Sequence, residues 1–155
     1  KNGHYHFHLC KYGHLDLVVR DPSGGDNLVL FTCNGSEGVN IKRQLSDLGN
    51  RDWDVYRMNN WGRVNRERLF EFVRISLIQE KGGESYGDLS SLGFGNANLK
   101  PKVREDIKGD YTCSTVIAAA LYYAGVELDN TRGTSNLDLV SPNQIVTSKG
   151  RFIID

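Results

Sequence analysis

Cysteine, proline and methionine are scarce in this chain, which has three cysteines, three prolines and one methionine among 155 residues. The cysteines, Cys10, Cys33 and Cys113, are too few and too irregularly spaced for a disulfide framework, and their odd number leaves at least one thiol unpaired. This excludes a small scaffold held together by disulfides. We expect a reducing compartment or a protected thiol.

An excess of one charge and a long apolar run are both missing. The chain has 19 lysines and arginines against 19 aspartates and glutamates, so no global field favours nucleic acid or a membrane surface. No apolar run approaches the roughly 20 residues of a membrane-spanning helix. The composition therefore predicts no nucleic-acid partner and no transmembrane segment, and it leaves the oligomeric state and the localisation unknown.

The length predicts a single domain, residues 1–155, that buries roughly two-thirds of its unfolded surface on folding. The chain begins with Lys1, and its one methionine is Met58. We therefore expect a domain excised from a longer protein, or a processed product.

Residues 109–128 contain one cysteine, followed by apolar residues at helical spacing, and this stretch is the main candidate for the functional centre of the chain. Asp110 and Thr112 are residue types that cap helix starts, and Gly125 is expected to end the helix. Cys113 would then lie in the first turn, where unpaired N–H groups and the helix dipole favour a thiolate and can stabilise an oxyanion. A nucleophile is one interpretation of Cys113, and a small buried apolar residue is the other. The residues of the stripe are Val116, Ile117, Ala120, Leu121 and Ala124.

Other segments show strand and helix patterns. Alternating apolar residues predict a hairpin of strands at residues 14–19 and 27–33, joined by the turn at 21–26. A helix is predicted at residues 64–81, with apolar residues spaced as the core face of a helix. Residues 84–108, rich in glycine and serine, predict a loop that shapes a substrate pocket. The apolar residues of the predicted helix are Leu69, Phe70, Val73 and Leu77, and short elements are predicted at residues 39–45, 53–58, 141–144 and 151–154.

Residues 4–10 alternate histidine with apolar residues, so that three imidazoles and the Cys10 thiol would share one strand face. Imidazoles at this spacing can ligate zinc, but a structural site draws ligands from a second segment, which here would supply Cys33 or His14. The alternative is a half-exposed strand with a histidine-rich polar face. We favour this alternative and expect no bound metal and no other cofactor. The three histidines are His4, His6 and His8.

A cysteine nucleophile requires a base within hydrogen-bond reach, and histidine is the side chain whose pKa lies nearest to neutral pH. All four histidines lie within the first 14 residues. His14 is distinguished by its setting, because it follows the turn-like residues 11–13 and begins an apolar strand, near the surface at a sheet edge. We therefore predict that His14 is the general base.

The order of these residues, with His14 well before Cys113, is opposite to the order in papain-type enzymes. Residues 13–19, Gly-His-Leu-Asp-Leu-Val-Val, resemble the His-Val-Gly-Ile-Val strand of the permuted NlpC/P60 family, papain-like cysteine hydrolases in which the histidine strand precedes the nucleophile helix. The resemblance runs from Gly13 to Ser148. Further segments that resemble the family pattern, in the same order, are Gly38-Val39, residues 55–58, 86–89, 111–114 and 119–128, and Ser141-Pro142.

The resemblance implies an α+β domain with a circularly permuted papain-like (NlpC/P60) fold, in which an antiparallel sheet packs against the nucleophile helix. It also implies a thiol amidase or peptidase that acts on a peptide-like or lipid-linked amide. Cys113 would attack the carbonyl carbon and form an acyl-enzyme, while His14 takes up and returns the proton.

The third residue of the catalytic triad is where the chain departs from the family. Many members carry a glutamate on the strand after the histidine strand, and the resemblance places this position at Thr32, whose hydroxyl supplies no negative charge. Asp16, two residues beyond His14 on the same strand face, is one alternative, and a solvated or edge-strand aspartate is the other interpretation of that residue. Cys33 and Asn34 are weaker alternatives.

Three residues near the nucleophile are predicted to contact the substrate, namely Tyr86, Tyr111 and Ser114. The tyrosines would line the cleft or donate a hydrogen bond to the oxyanion, and a simple pocket wall is the more common role of such rings.

Three other functions stay open at this point. The same cysteine and histidine would serve acyl transfer to an acceptor other than water. Thr32 in place of an acid suits a non-catalytic binding or structural domain that has lost a competent triad. The histidines of residues 4–10 suit a zinc-binding domain.

Overall fold

The computed structural model describes residues 13–34, 37–42, 53–59, 61–81, 98–108, 111–128, 141–147 and 152–154. Its strands are β1 (Leu17–Arg20), β2 (Leu28–Asn34), β3 (Gly38–Lys42), β4 (Tyr56–Met58) and β5 (Phe152–Ile154). Its helices are α1 (Arg66–Lys81), α2 (Cys113–Tyr123) and α3 (Pro142–Val146), with short 3-10 turns at Trp61–Arg63 and Arg104–Asp106.

Strands β1, β2 and β3 form an antiparallel sheet in that order. The pairing places Leu17 opposite Phe31, and on the other side of β2 it places Thr32 opposite Asn40. The turn between β1 and β2 is closed by a hydrogen bond that the Asp21 amide donates to the Asn27 carbonyl at 2.8 Å. The predicted hairpin is therefore confirmed, although β1 begins at Leu17 and His14 precedes it.

The three-stranded sheet has one apolar and one more polar face, because directly paired residues project their side chains to the same side. The polar face carries the pair Thr32 and Asn40, together with Lys42 on β3. The apolar face belongs to the hydrophobic core and packs against the helices. Its buried residues are Val19, Val29, Phe31, Cys33 and Val39.

Helix α2 is buried along nearly its whole length and contacts both β2 and α1. At its start, Thr112 and Thr115 form a capping box, in which the Thr112 amide donates to Thr115 Oγ1 at 2.7 Å and the Thr115 amide donates to Thr112 Oγ1 at 3.3 Å. At its end, Gly125 has a φ of +93°, and the amides of Gly125 and Val126 donate to carbonyls of the last turn. The predicted cap at Thr112, the first-turn position of Cys113 and the stop at Gly125 are all confirmed.

Helix α1 begins at Arg66, after Asn65, whose side-chain oxygen accepts a hydrogen bond from the Arg68 amide at 3.1 Å. Its buried stripe differs from the predicted one, because Phe70 and Leu77 are only half-buried, whereas Phe72 is 0% exposed. Phe72 packs against the rings of Tyr111, which precedes α2, and Tyr123, the last residue of α2, at 5.9 and 6.2 Å between ring centroids. The stripe consists of Leu69, Phe72, Val73 and Ser76.

Strands β4 and β5 form a separate antiparallel pair, which confirms strands within the segments predicted at residues 53–58 and 151–154. Of the predicted loop at 84–108, the structure describes residues 98–108, which contain only the 3-10 turn. Within the described parts of the chain, no helix has the length and apolar character that crossing a bilayer requires. These elements make an α+β arrangement, and the permuted papain-like fold stays a prediction.

Replacement of Gly125 by alanine is expected to lower the free energy of unfolding by roughly 1–2 kcal/mol, because a side chain at positive φ is strained even where space is open. The measurement is urea unfolding, with Gly62→Ala as the matched control. Gly62 also has open space around its Cβ position but no positive φ, so its replacement should change stability by less than about 0.5 kcal/mol. Equal effects of the two substitutions would contradict this account of the helix end.

Candidate active site

His14 lies just before β1, and its Nε2 atom meets two side chains. It is 2.8 Å from Asp16 Oδ1 and 3.0 Å from Thr32 Oγ1. The edge of the imidazole also faces the ring of Trp53, at 6.3 Å between centroids. The imidazole remains 31% exposed, so it is held firmly from one side and still reachable from solvent.

The environment of His14 favours the charged imidazolium. Its pKa is raised from 6.5 to about 9, first by the hydrogen bond to Asp16 and then by a hydrogen bond with the Cys113 thiol, against the opposing effect of burial. His14 is therefore protonated at neutral pH. A histidine that is charged at rest can donate a proton to a leaving group, as a general acid does.

Asp16 supplies the negative charge at this site. Burial acts against its ionisation, but hydrogen bonds from His14 and Thr32, with the charges of His14 and Lys42, together lower its pKa. The side chain is only 9% exposed, which contradicts a solvated aspartate, although Asp16 does directly precede β1, an edge strand of the sheet. Asp16 is thus a half-buried, ionised partner of the imidazole.

Cys113 is the first residue of α2 and is 7% exposed. The thiol lies close enough to the imidazole of His14 to help raise its pKa. The thiol thus lies at the start of α2, where the helix dipole favours negative charge.

The structure brings both candidates for the third residue to the same nitrogen. Thr32, which is 1% exposed, donates its hydroxyl proton to the Asp16 carboxylate, while its oxygen lies beside Nε2 of His14. Asp16 therefore carries the charge, and Thr32 holds the carboxylate in place. Register explains the contact, since Leu17 faces Phe31 and the preceding residue, Asp16, faces Thr32.

The weaker alternatives for the third residue lie elsewhere. Cys33 belongs to the core, where its thiol donates to the Tyr111 carbonyl at 3.2 Å. Asn34 accepts a hydrogen bond from the Glu37 amide in the turn before β3. The structure describes no contact of either side chain with His14.

Two of the residues predicted to contact the substrate, Tyr111 and Ser114, are buried. Tyr111 is buried, its ring packs against Phe72, and its hydroxyl donates to the Asn98 carbonyl at 3.5 Å. Ser114 is buried too, with its hydroxyl 3.5 Å from that of Thr112. Both side chains are therefore packed inside the fold, and we do not propose that they contact a substrate. Tyr86 lies outside the described residues.

The histidine strand predicted at residues 4–10, with Cys10, also lies outside the described residues. Within the residues that the structure does describe, no group of three or more His, Cys, Asp or Glu side chains is arranged to hold a metal ion. The two described cysteines, Cys33 and Cys113, are both free thiols.

Three further residues near the site escaped the sequence analysis. Trp53 contacts the His14 ring, Lys42 acts on the charge of Asp16, and Asn40 lies directly opposite Thr32. The alternation of residues in β3 could have placed Asn40 and Lys42 on one face of that strand. It could not have predicted that this face is the one that carries Thr32 on β2.

No protein-family model matches the chain. Among curated proteins and among solved structures, no significant match is found either. The similarity to the permuted NlpC/P60 family therefore stays a prediction, and the geometry of His14, Asp16, Thr32 and Cys113 carries the functional argument.

Replacement of Asp16 by asparagine is expected to lower the pKa of His14 from about 9 by at least one unit, because the largest stabilising contact of the imidazolium loses its charge. NMR titration of the histidine ring signals measures this value. The control is Asp26→Asn, which removes a carboxylate that is 96% exposed in the hairpin turn. A His14 pKa that is the same in both variants would contradict the assigned role of Asp16.

Proposed function

We propose that this chain is a cysteine-dependent hydrolase of the amidase or peptidase type, with Cys113 as the nucleophile and His14 as the general acid and base. The supporting observation is the 2.8 Å hydrogen bond between Asp16 and His14, together with Cys113, the first residue of a buried helix, close enough to the imidazole to help raise its pKa. The base thus lies between the nucleophile and the orienting group, as nucleophilic acyl transfer requires.

The first half of the reaction begins with the thiolate of Cys113 and the imidazolium of His14. The sulfur attacks the amide carbonyl carbon, and the carbonyl electrons move to oxygen, which becomes the oxyanion of a tetrahedral intermediate. The positive end of the α2 dipole stabilises this oxyanion. As the C–N bond breaks, His14 gives its proton to the leaving nitrogen, and a thioester with Cys113 remains.

The second half returns the site to its starting state. Neutral His14 removes a proton from water, and the hydroxide oxygen attacks the thioester carbonyl carbon. The second tetrahedral intermediate expels the sulfur as a thiolate and releases the acyl group as a carboxylic acid. His14 is again an imidazolium, so its proton restores the ion pair with Cys113.

Asp16 and Thr32 act on this cycle through His14. The carboxylate stabilises each imidazolium and holds the ring by Nε2. Thr32 donates to the carboxylate and limits its motion. Asp16 thus supplies the charge that threonine lacks at the position where many NlpC/P60 proteins carry a glutamate, and this favours a working triad over a degenerate one.

The fold and the class of substrate belong to the same proposal. A histidine strand that precedes a nucleophile helix, with an antiparallel sheet against that helix, is compatible with a permuted papain-like domain of NlpC/P60 type. By that resemblance, the substrate is a peptide-like or lipid-linked amide. Hydrolysis and transfer to another acceptor share the acyl-enzyme, and water is the acceptor that we propose.

Cys113 is expected to react faster with iodoacetamide than Cys33 does below pH 7, and His14→Ala should slow the reaction of Cys113 at pH 6.5. The reason is that a neighbouring imidazolium favours the thiolate, which is the nucleophilic form of a cysteine. Peptide mass spectrometry reads the rate at each cysteine over a range of pH. Asp16→Asn should give an intermediate rate, because its imidazolium is less stable.

Cys33 is the internal control for this experiment, since its buried thiol belongs to the core and donates to the Tyr111 carbonyl. Labelling of Cys113 that is no faster than that of Cys33, or that is unaffected by loss of His14, would reject the catalytic proposal. A non-catalytic domain would then be the better account of the chain.

A further inference from the structure

Strand β1 forms one edge of the three-stranded sheet. It pairs with β2 on one side, and within the described parts of the chain no strand pairs with its other side. In an antiparallel pair, residues whose backbone groups bond to the partner strand alternate with residues whose backbone groups point away from it. The outer edge of β1 therefore carries backbone donors and acceptors at every second residue.

The hydrogen bond at the hairpin turn determines which residues these are. The Asp21 amide donates to the carbonyl of Asn27, which the β1–β2 register places opposite it when continued by one residue, so these two form a hydrogen-bonded pair. Val19, two residues earlier, then also directs its backbone groups toward β2. Val18 and Arg20 alternate with this set. Their amides and carbonyls therefore point away from β2, toward the outer edge.

The same two residues have exposed side chains on the face of the sheet that carries the candidate active site. Val18 is 48% exposed, and Arg20 is exposed as well. Side chains two residues apart in a strand project to the same side, so both lie on the side of Asp16, the residue that holds His14. An apolar side chain and a cation thus accompany the outward backbone groups.

We propose that the outer edge of β1 docks an extended peptide substrate, which adds to the sheet as a further antiparallel strand and directs its C-terminal part toward His14. A peptide backbone is the ligand that matches alternating donors and acceptors along a strand edge. His14 lies about four residues from Val18, or about 13 Å of extended chain. This inference rests on the proposed function and selects peptides from the peptide-like and lipid-linked amides.

The probe for this docking is the hexapeptide N-acetyl-Glu-Ala-Val-Ala-Ala-Ala-amide. In the antiparallel arrangement its valine pairs with Val18 and its glutamate with Arg20, where it competes with the exposed Asp26 carboxylate, 3.5 Å from the guanidinium. The full chain carrying Cys113→Ala is used, so that the peptide is bound and not cleaved. Titration followed by two-dimensional amide NMR should shift the signals of Val18 and Arg20 and give the dissociation constant.

Methylation of single peptide nitrogens tests the backbone pairing without any change in the strand. N-methylation of the peptide valine removes the hydrogen that bonds to the Val18 carbonyl, and the dissociation constant should rise by about fivefold or more, as loss of one hydrogen bond predicts. N-methylation of the alanine that follows this valine is the matched control. The nitrogen of that alanine points away from β1, so its methylation should change the dissociation constant by less than about twofold.

Val18→Pro tests the same contact from the protein side, because it removes the outward amide hydrogen. An edge strand accepts proline where the amide points away from its neighbour. The matched control is Val18→Ala, which shortens the same side chain and keeps the amide. Val18→Pro should bind the peptide about fivefold or more weakly than Val18→Ala does. If Val18→Pro does not fold, the two methylated peptides decide the question on the unaltered strand.

Equal binding of the two methylated peptides, or no shift of the Val18 and Arg20 signals, would overturn this proposal. Shifts of these signals when the protein alone is diluted would overturn it too, because the edge then pairs with a second copy of the chain. The two proposals fail separately. Rapid labelling of Cys113 without docking on β1 rejects only the docking. Slow labelling of Cys113 with docking on β1 rejects only the catalytic function.

Discussion

Burial of α2 against the apolar face of the sheet and against α1 is the constraint on which the site depends. Nearly every side chain of this helix is buried, so neither rotation nor translation of the helix is available without loss of core contacts. The capping box of Thr112 and Thr115 determines which residue begins the helix. Packing of α2 in the core therefore holds Cys113 at a defined position near His14.

The second constraint is electrostatic and comes from the short segment just before β1. Asp16 lies two residues beyond His14, so both side chains belong to the same side of that segment, and the short contact at Nε2 requires no distant part of the chain. The neighbouring strand adds the Thr32 hydroxyl to the carboxylate. A half-buried carboxylate with two donors stays ionised, and it keeps the imidazole both charged and oriented.

Local features were predictable because their causes lie within a few residues. The hairpin follows from alternation on both sides of a Pro-Ser-Gly-Gly turn, and α2 follows from its capping residues and from Gly125. The buried face of α1 was predicted with an error, since Leu69, Phe70, Val73 and Leu77 also have helical spacing. In the structure Phe72 is buried instead, because it packs against the rings of Tyr111 and Tyr123. These tyrosines are far from α1 in the sequence, so the local pattern could not predict the contact.

The sequence by itself determined where the helix of Cys113 begins and ends, which segments pair as a hairpin, and that His14 and Cys113 are the residues with the chemistry of a base and a nucleophile. Only the tertiary structure decided which group partners the imidazole, that Tyr111 packs in the core, and that Asn40 lies opposite Thr32. The reason is physical. Caps and turns depend on contacts between near neighbours in the chain, whereas the ionisation of a side chain depends on every charge and donor that the register of three strands and one helix brings within a few ångströms of it.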